Sequence, residues 1–261
     1  MQVTRRIGRS MLNKVPEVTL VFWLIKIMST TVGETGADYL AVHVGLGTSV
    51  TGLIMAALLA AVLAVQLRMG RYVPWVYWLT VVLVSIVGTQ ITDALTDKLE
   101  ISLYVSTALF ATALAATFAI WFAVERTLSI HSIVTTRREL FYWAAILFTF
   151  ALGTAAGDLA TEALGLGFNV GVVVFMALIA GVTAAYALGA NEVLAFWIAY
   201  ILTRPLGASF GDMLSQSRDY GGLGFGTIYT SLAFLAVIAA LVGWLSFADG
   251  SERTPEASPR A

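Results

Sequence analysis

Cysteine is absent from this chain, which excludes disulfides, thiolate metal sites and thiol nucleophiles together. Charge is nearly as scarce. Only 12% of the 261 residues are Asp, Glu, Lys or Arg, against about 25% in ordinary soluble domains. The net charge of −1 carries no basic excess, so nucleic acid is not an expected partner. There are two histidines. His43 reads first as an interfacial residue and second as a spare nitrogen ligand, and His131 is assigned no role.

What is present in abundance is apolar: 59% hydrophobic residues and a mean hydropathy of +0.85. Eight stretches are long enough to span a bilayer, at about 16–39, 46–67, 73–95, 101–124, 139–160, 168–188, 192–214 and 225–247. The first apolar run, Val15–Thr31, is longer than a signal-peptide core and has no A-x-A-like exit, so it is expected to stay in the protein. An even number of spans puts both termini on one side. Arg5, Arg6, Arg9 and Lys14 precede the first span, Arg68 and Arg71 follow the second, and Arg126, Arg137 and Arg138 follow the fourth. The positive-inside tendency makes that side cytoplasmic. The expected organisation is a cytoplasmic segment 1–14, a membrane domain 15–248 and a polar, disordered cytoplasmic tail 249–261.

The membrane domain repeats itself. Phe22-Trp23, Tyr77-Trp78, Tyr142-Trp143 and Phe196-Trp197 each begin a span. Ten residues after each Trp comes a glycine (Gly33, Gly88, Gly153, Gly207), and fifteen after comes an aspartate (Asp38, Asp93, Asp158, Asp212). The residue before each aspartate is small: Ala37, Thr92, Gly157 and Gly211. The motif uses four of the seven Trp and four of the seven Asp, so it is not coincidence. Its copies lie 55, 65 and 54 residues apart, which makes each repeat a pair of spans, at about 15–70, 71–125, 137–189 and 190–248. The expected fold is therefore all-α: eight transmembrane helices as four parallel two-helix repeats, pseudo-symmetric about the membrane normal.

At about 100° per residue, Trp, Gly, the small residue and Asp fall on one helix face, within an arc of about 140°. Lys26, Glu34 and Arg204 fall on the same arc, and Asp97 and Glu162, one turn beyond their aspartates, lie at its edge. Small residues beside each acid predict close helix contact there. Four such faces around one axis gather Asp38, Asp93, Asp158 and Asp212 into an outward-facing layer, with Glu34, Asp97 and Glu162 near it. These seven acids outnumber Lys26 and Arg204, the two candidate internal counterions, so the excess must be protonated, hydrated or bound to cations. Oxygen donors of this kind, with Thr30, Thr31 and Ser85 nearby, suit Mg²⁺, Mn²⁺ or Ca²⁺ better than copper or zinc. Trp23, Trp78, Trp143 and Trp197 read as interfacial anchors of the repeats. Arg204 beside Pro205 marks a weakened helix with its cation aimed at the acids.

Segments such as "STTVGETGADYL" and "LTRPLGASFGD", set within four tandem two-span units that each carry a tryptophan, resemble the bacterial "membrane-anchored protein" family of tandem repeats of unknown function. The resemblance runs from about residue 14 to 247 and implies an eight-helix integral protein of the bacterial inner membrane. It implies no activity. The charges alone lead to the functional expectation: a transporter of a divalent cation, Mn²⁺ or Mg²⁺, or of protons, with no resident cofactor and no enzymatic role. Two alternatives stand beside it. One is a structural or sensory membrane protein in which the repeated face only packs helices. The other is an Mg²⁺-dependent intramembrane enzyme using the acid pairs Glu34/Asp38, Asp93/Asp97 and Asp158/Glu162, which the inferred topology disfavours by placing them away from the cytoplasm.

Overall fold

The computed structural model describes residues 13–38 and 47–251. His43 and the tail beyond Ser251 lie outside the described residues, as do the side chains of Glu34 and Asp38. The described residues form eight α-helices: α1 (Leu20–Asp38), α2 (Gly47–Arg68), α3 (Pro74–Asp93), α4 (Leu103–Glu125), α5 (Thr136–Asp158), α6 (Gly167–Ala187), α7 (Glu192–Ser215) and α8 (Thr227–Ser251). No strand occurs among the described residues. Among the described residues seven stretches, not the eight expected, are long and apolar enough to cross a membrane, and α1 contributes a shorter apolar one, Leu20–Gly33. The helices are thus compatible with an integral membrane protein.

Local chemistry sets the boundaries. Pro74 opens α3, where its missing N–H costs nothing. The side chains of Ser102, Thr135 and Asn191 accept first-turn N–H bonds at the starts of α4, α5 and α7. α4 stops at Arg126, whose φ of 57° is left-handed. Immediately after Asp93 and Asp158, α3 and α5 widen into single π-helical turns, Ala94–Lys98 and Leu159–Ala163.

The helices sort into two rings. α1 packs on α3 and α7, and α5 packs on the same two, so α1, α3, α5 and α7 close an inner ring in that order. The other four lie outside, each against the inner helix of the following repeat: α2 on α3, α4 on α5, α6 on α7, and α8 back on α1. Within the apolar stretches of α3, α5 and α7, 61%, 61% and 50% of residues are buried, but only 17–22% in α2, α4, α6 and α8. The outer helices turn leucines, valines and aromatics such as Leu53, Tyr104, Val173 and Tyr229 outward, as helices solvated by lipid do.

The motif glycines make the inner ring tight. A Cβ added at Gly33 would collide with Ser85, at Gly88 with Phe150, at Gly153 with Arg204 and at Gly207 with Thr30. Each partner sits three residues before the glycine of the next repeat, so one contact is made four times and returns from α7 to α1. The aromatic pairs do the same at the Trp end. The ring of Phe22 lies 5.5 Å from Trp78, Tyr77 5.5 Å from Trp143, Tyr142 6.2 Å from Trp197, and Phe196 5.7 Å from Trp23. Trp78, Trp143 and Trp197 are consequently buried and Trp23 half-buried. The four tryptophans therefore cross-link neighbouring repeats rather than standing as free interfacial anchors, because each is covered by the aromatic residue of the repeat before it.

Around Gly207 the nearest atoms to an added Cβ are the Thr30 side chain at 2.7 Å and the Ile27 carbonyl at 3.0 Å. Gly207→Ala is expected to destabilise the protein by about 1–3 kcal/mol, the usual cost of overpacking. Gly181→Ala, on α6 with open space around it, is expected to be neutral or stabilising by up to about 1 kcal/mol. Unfolding of both purified variants in detergent checks the contrast, and equal losses would mean that helix contact is not what the glycine serves.

Candidate functional site

Two successive layers of the inner ring are fully buried. Three residues after each motif Trp stand Lys26, Val81, Ile146 and Tyr200; one turn further stand Thr30, Ser85, Phe150 and Arg204. Both cations that the sequence placed on the repeated face are in these layers. Each reaches across the axis. The Lys26 ammonium, on α1, lies 4.6 Å from the ring centre of Phe150 on α5, the opposite helix, and 4.4 Å from that of Tyr200. It donates to the Tyr200 carbonyl at 3.3 Å and to Thr30 Oγ1 at 3.5 Å. No carboxylate lies within ion-pair distance of it among the described residues. Arg204, on α7, passes over Gly153 and donates through Nη2 to Thr89 Oγ1 on α3, again the opposite helix. The axis thus carries two buried cations, Lys26 against a hydroxyl, a carbonyl and aromatic faces, and Arg204 with a hydroxyl of the opposite helix among its contacts.

Above them, toward the Trp end, the hydroxyls of Tyr77 and Tyr142 meet at 2.5 Å. The Tyr200 hydroxyl is buried with no hydrogen-bond partner among the described residues. Most serines and threonines in the ring satisfy themselves on the preceding turn of their own helix, as Ser29, Thr30, Thr89 and Thr154 do. Thr31 and Thr92 do so too and also bind across, to the carbonyls of Gly207 and Ala151. Pro205 does not interrupt α7. Its ring fills the space left by Gly153 and Gly157, where an added Cβ on Gly157 would sit 3.2 Å from it.

The acids are at the other end. Asp93 and Asp158 close α3 and α5 and are half-buried, as is Asp212 near the end of α7. Asp97 and Glu162 lie in the π-helical turns and are exposed. The i→i+5 bonding of those turns breaks the 3.6-residue period on which the expected face rested. Asp97 Oδ1 accepts from Thr96 at 3.2 Å, and Lys98 donates to Ser49 at 2.7 Å. Glu34 and Asp38 belong to α1 by backbone register. Among the described residues no group of three or more acidic or histidine side chains is placed to hold a metal ion.

A further charged cluster, invisible in the repeat pattern, fastens the Trp end. Lys14 and the fully buried Glu139 pair at 2.7 Å. Gln66 donates to the other Glu139 oxygen at 2.9 Å, and Lys14 also donates to the Leu67 carbonyl at 3.1 Å. The backbone of Asn13 and Lys14 bonds to Tyr72 and Ile133, so this segment ties the α2–α3 turn to the loop between repeats two and three. That loop, the longer spacing of the middle repeats, returns a carbonyl at Leu128 to Trp197 Nε1 at 3.0 Å. Lys14 looked like one more cytoplasmic cation. Only the fold supplies its acid, from 125 residues away.

Glu139→Ala leaves the Lys14 charge without its carboxylate and is expected to cost about 3–5 kcal/mol, whereas the double change Lys14→Met/Glu139→Leu is expected to recover most of that loss. Thermal unfolding of the three proteins in one detergent checks this. A double variant no better than Glu139→Ala would assign the loss to packing.

The chain matches the family described as a Repeat of Unknown Function (DUF347) four times, over residues 21–72, 76–127, 141–189 and 195–251. No curated protein and no solved structure matches it. Each matched stretch holds one inner helix, one outer helix and one copy of the aromatic-Trp motif. With four tandem copies covering most of its length, the chain belongs to that repeat family.

Proposed function

We propose that this protein is a multi-pass transporter of the cytoplasmic membrane, with both termini cytoplasmic, that exports a small divalent cation such as Mn²⁺ or Mg²⁺ in exchange for protons. Four parallel two-helix repeats surround the pathway, which follows the axis of the inner ring. The observation that carries the reading is the pair of fully buried cations crossing that axis, Lys26 and Arg204. Intramembrane charge is costly and marks function by default. The two are not equivalent, since a guanidinium keeps its proton under all ordinary conditions whereas an ammonium can release one. Lys26 is therefore the switchable charge and Arg204 the fixed one.

The acid layer of Asp38, Asp93, Asp158 and Asp212, with Glu34, Asp97 and Glu162, is the cation's binding region. By register Asp38 lies about 18 Å along α1 from Lys26. At an effective dielectric of about 20, adding or removing the Lys26 charge changes the energy of a unit charge there by roughly 1 kcal/mol, or fivefold in affinity. A divalent ion feels about twice that. Protonation of Lys26 thus favours release of the cation from the acids, and its deprotonation favours loading, which is the sign an antiporter needs.

The structural alternative has support in the tight glycine contacts, which would serve packing alone equally well. Total Mn, Mg, Ca, Fe, Co and Zn in cells expressing either the wild type or the Asp93→Asn/Asp158→Asn pair, at matched membrane levels, separates the two. Lower content of one metal in the wild type alone is the expected outcome. Identical metal contents in the two strains, with the variant merely less stable, would leave packing as the role of the acids.

A further inference from the structure

Tyrosine occurs at the aromatic position of the motif in repeats two and three, and phenylalanine in repeats one and four. Phe22 and Phe196 make the same contact to the next repeat's Trp that Tyr77 and Tyr142 make. Aromatic packing therefore does not require the hydroxyls, yet those two are aimed at each other and meet at 2.5 Å with both side chains fully buried. The fully buried Tyr200 hydroxyl, contributed by a third inner helix, has no hydrogen-bond partner among the described residues, and Tyr200 interacts electrostatically with both tyrosines. The fourth inner helix supplies Lys26, whose Nζ lies over the Tyr200 ring and bonds to the Tyr200 carbonyl.

We propose that Tyr77, Tyr142 and Tyr200 form a proton path that serves Lys26 from the Trp end of the bundle. The inference rests on the proton-coupled reading above and names the route its proton takes. Tyr72 marks the outer end of the path: it is half-buried, its hydroxyl accepts from Trp78 Nε1 at 3.1 Å, and its ring lies 5.6 Å from that of Tyr77.

A phenol both donates and accepts, so each hydroxyl can take a proton on a lone pair while passing on its own. One water joining the tyrosine pair to Tyr200 completes the chain. The balance is simple. One proton leaves the solution at the Trp end, one N–H bond forms on the free amine of Lys26, and every tyrosine ends neutral with its hydrogen replaced. During exchange the sequence runs the other way: Lys26 takes its proton from the Asp end and discharges it through the tyrosines to the Trp side, so each cycle carries one proton across. Against Lys26 lie Arg204 and Tyr200 from α7 and the Phe150 ring from α5, while Tyr77 of α3 and Tyr142 of α5 interact with Tyr200; the titratable described side chain of α8, Tyr229, points outward. Arg204 cannot carry the proton, which leaves the tyrosines.

The test uses the full chain in liposomes with Mn²⁺ as the probe, and Mg²⁺ in parallel, and reads two rates. One is self-exchange of the cation at equal pH on both faces, which needs the pathway but no net proton transfer. The other is cation movement driven by a pH gradient. Tyr142→Phe and Tyr200→Phe are expected to keep self-exchange within about twofold of wild type and to lose gradient-driven movement by about a hundredfold, the scale of removing a positioned proton-transfer group. Lys26→Met is expected to lose gradient-driven movement as well. Gradient-driven rates that survive both tyrosine changes while falling in Lys26→Met would overturn the path and leave the transport reading standing. A wild-type protein with neither rate would overturn transport, and this inference with it.

Discussion

Everything in this molecule depends on how closely the four inner helices approach one another, and that approach is set by a hydrogen atom at four positions. Gly33, Gly88, Gly153 and Gly207 leave no room for a Cβ because the neighbouring helix already occupies it. Where lipid is as apolar as leucine, burying hydrophobic surface does not pull helices together, and van der Waals fit and interhelical hydrogen bonds must do so. The small residue provides the fit. The bonds from Thr31 to the Gly207 carbonyl and from Thr92 to the Ala151 carbonyl add direction at the same seams. A ring this narrow has an axis that one side chain can cross, as Lys26 does to reach Phe150 and Arg204 to reach Thr89.

The repeated contact builds the frame, and the chemistry lies in departures from it. Equivalent positions on the axis hold Lys26, Val81, Ile146 and Tyr200 in one layer, and Thr30, Ser85, Phe150 and Arg204 in the next. Four identical residues in each layer would surround a symmetric channel with four equal charges or none. Here two positions are cationic, two aromatic and four small or aliphatic, so large groups on one helix fill the space that small groups on the facing one leave. Tyr200 and Phe150 are the ring faces against which Lys26 rests. The aromatic stabilisation of the ammonium and the filling of the axis are thus the same contacts.

Much of this was legible in the sequence, for a physical reason: helix periodicity is local. The helices, the four copies of the motif and the common face of the glycines, Lys26 and Arg204 all follow from counting along one helix. What depends on pairing between distant segments was not legible. Nothing local says that α8 returns to α1, or that each outer helix serves the following repeat rather than its own. Lys14 and Glu139 belong to no repeat, so their pairing left no pattern to read. The π-helical turns after Asp93 and Asp158 defeated the angular argument at Asp97 and Glu162, because that argument assumed an unbroken period. The tyrosine hydroxyls were in plain view within the motif, but classed as aromatic they lost the one atom that distinguishes them from phenylalanine.

The ends of the bundle differ in kind, and the difference bears on direction. The Trp end is closed by interlocked rings, the Lys14–Glu139 pair and the long central loop. The Asp end finishes two of its inner helices in π-helical turns with exposed acids. Such turns carry wider, less regular hydrogen bonding than the helix they end, so rearrangement is cheaper at the Asp end than at the Trp end. A hydrated ion needs an opening several ångströms wide, whereas a proton needs only hydroxyls in sequence. A frame that is stiff where the tyrosines are and looser where the acids are suits the proposed division between a proton path at the first end and a cation-binding layer at the second. In the proposed exchange the buried cations Lys26 and Arg204, between the two ends, are where proton and ion influence each other through charge.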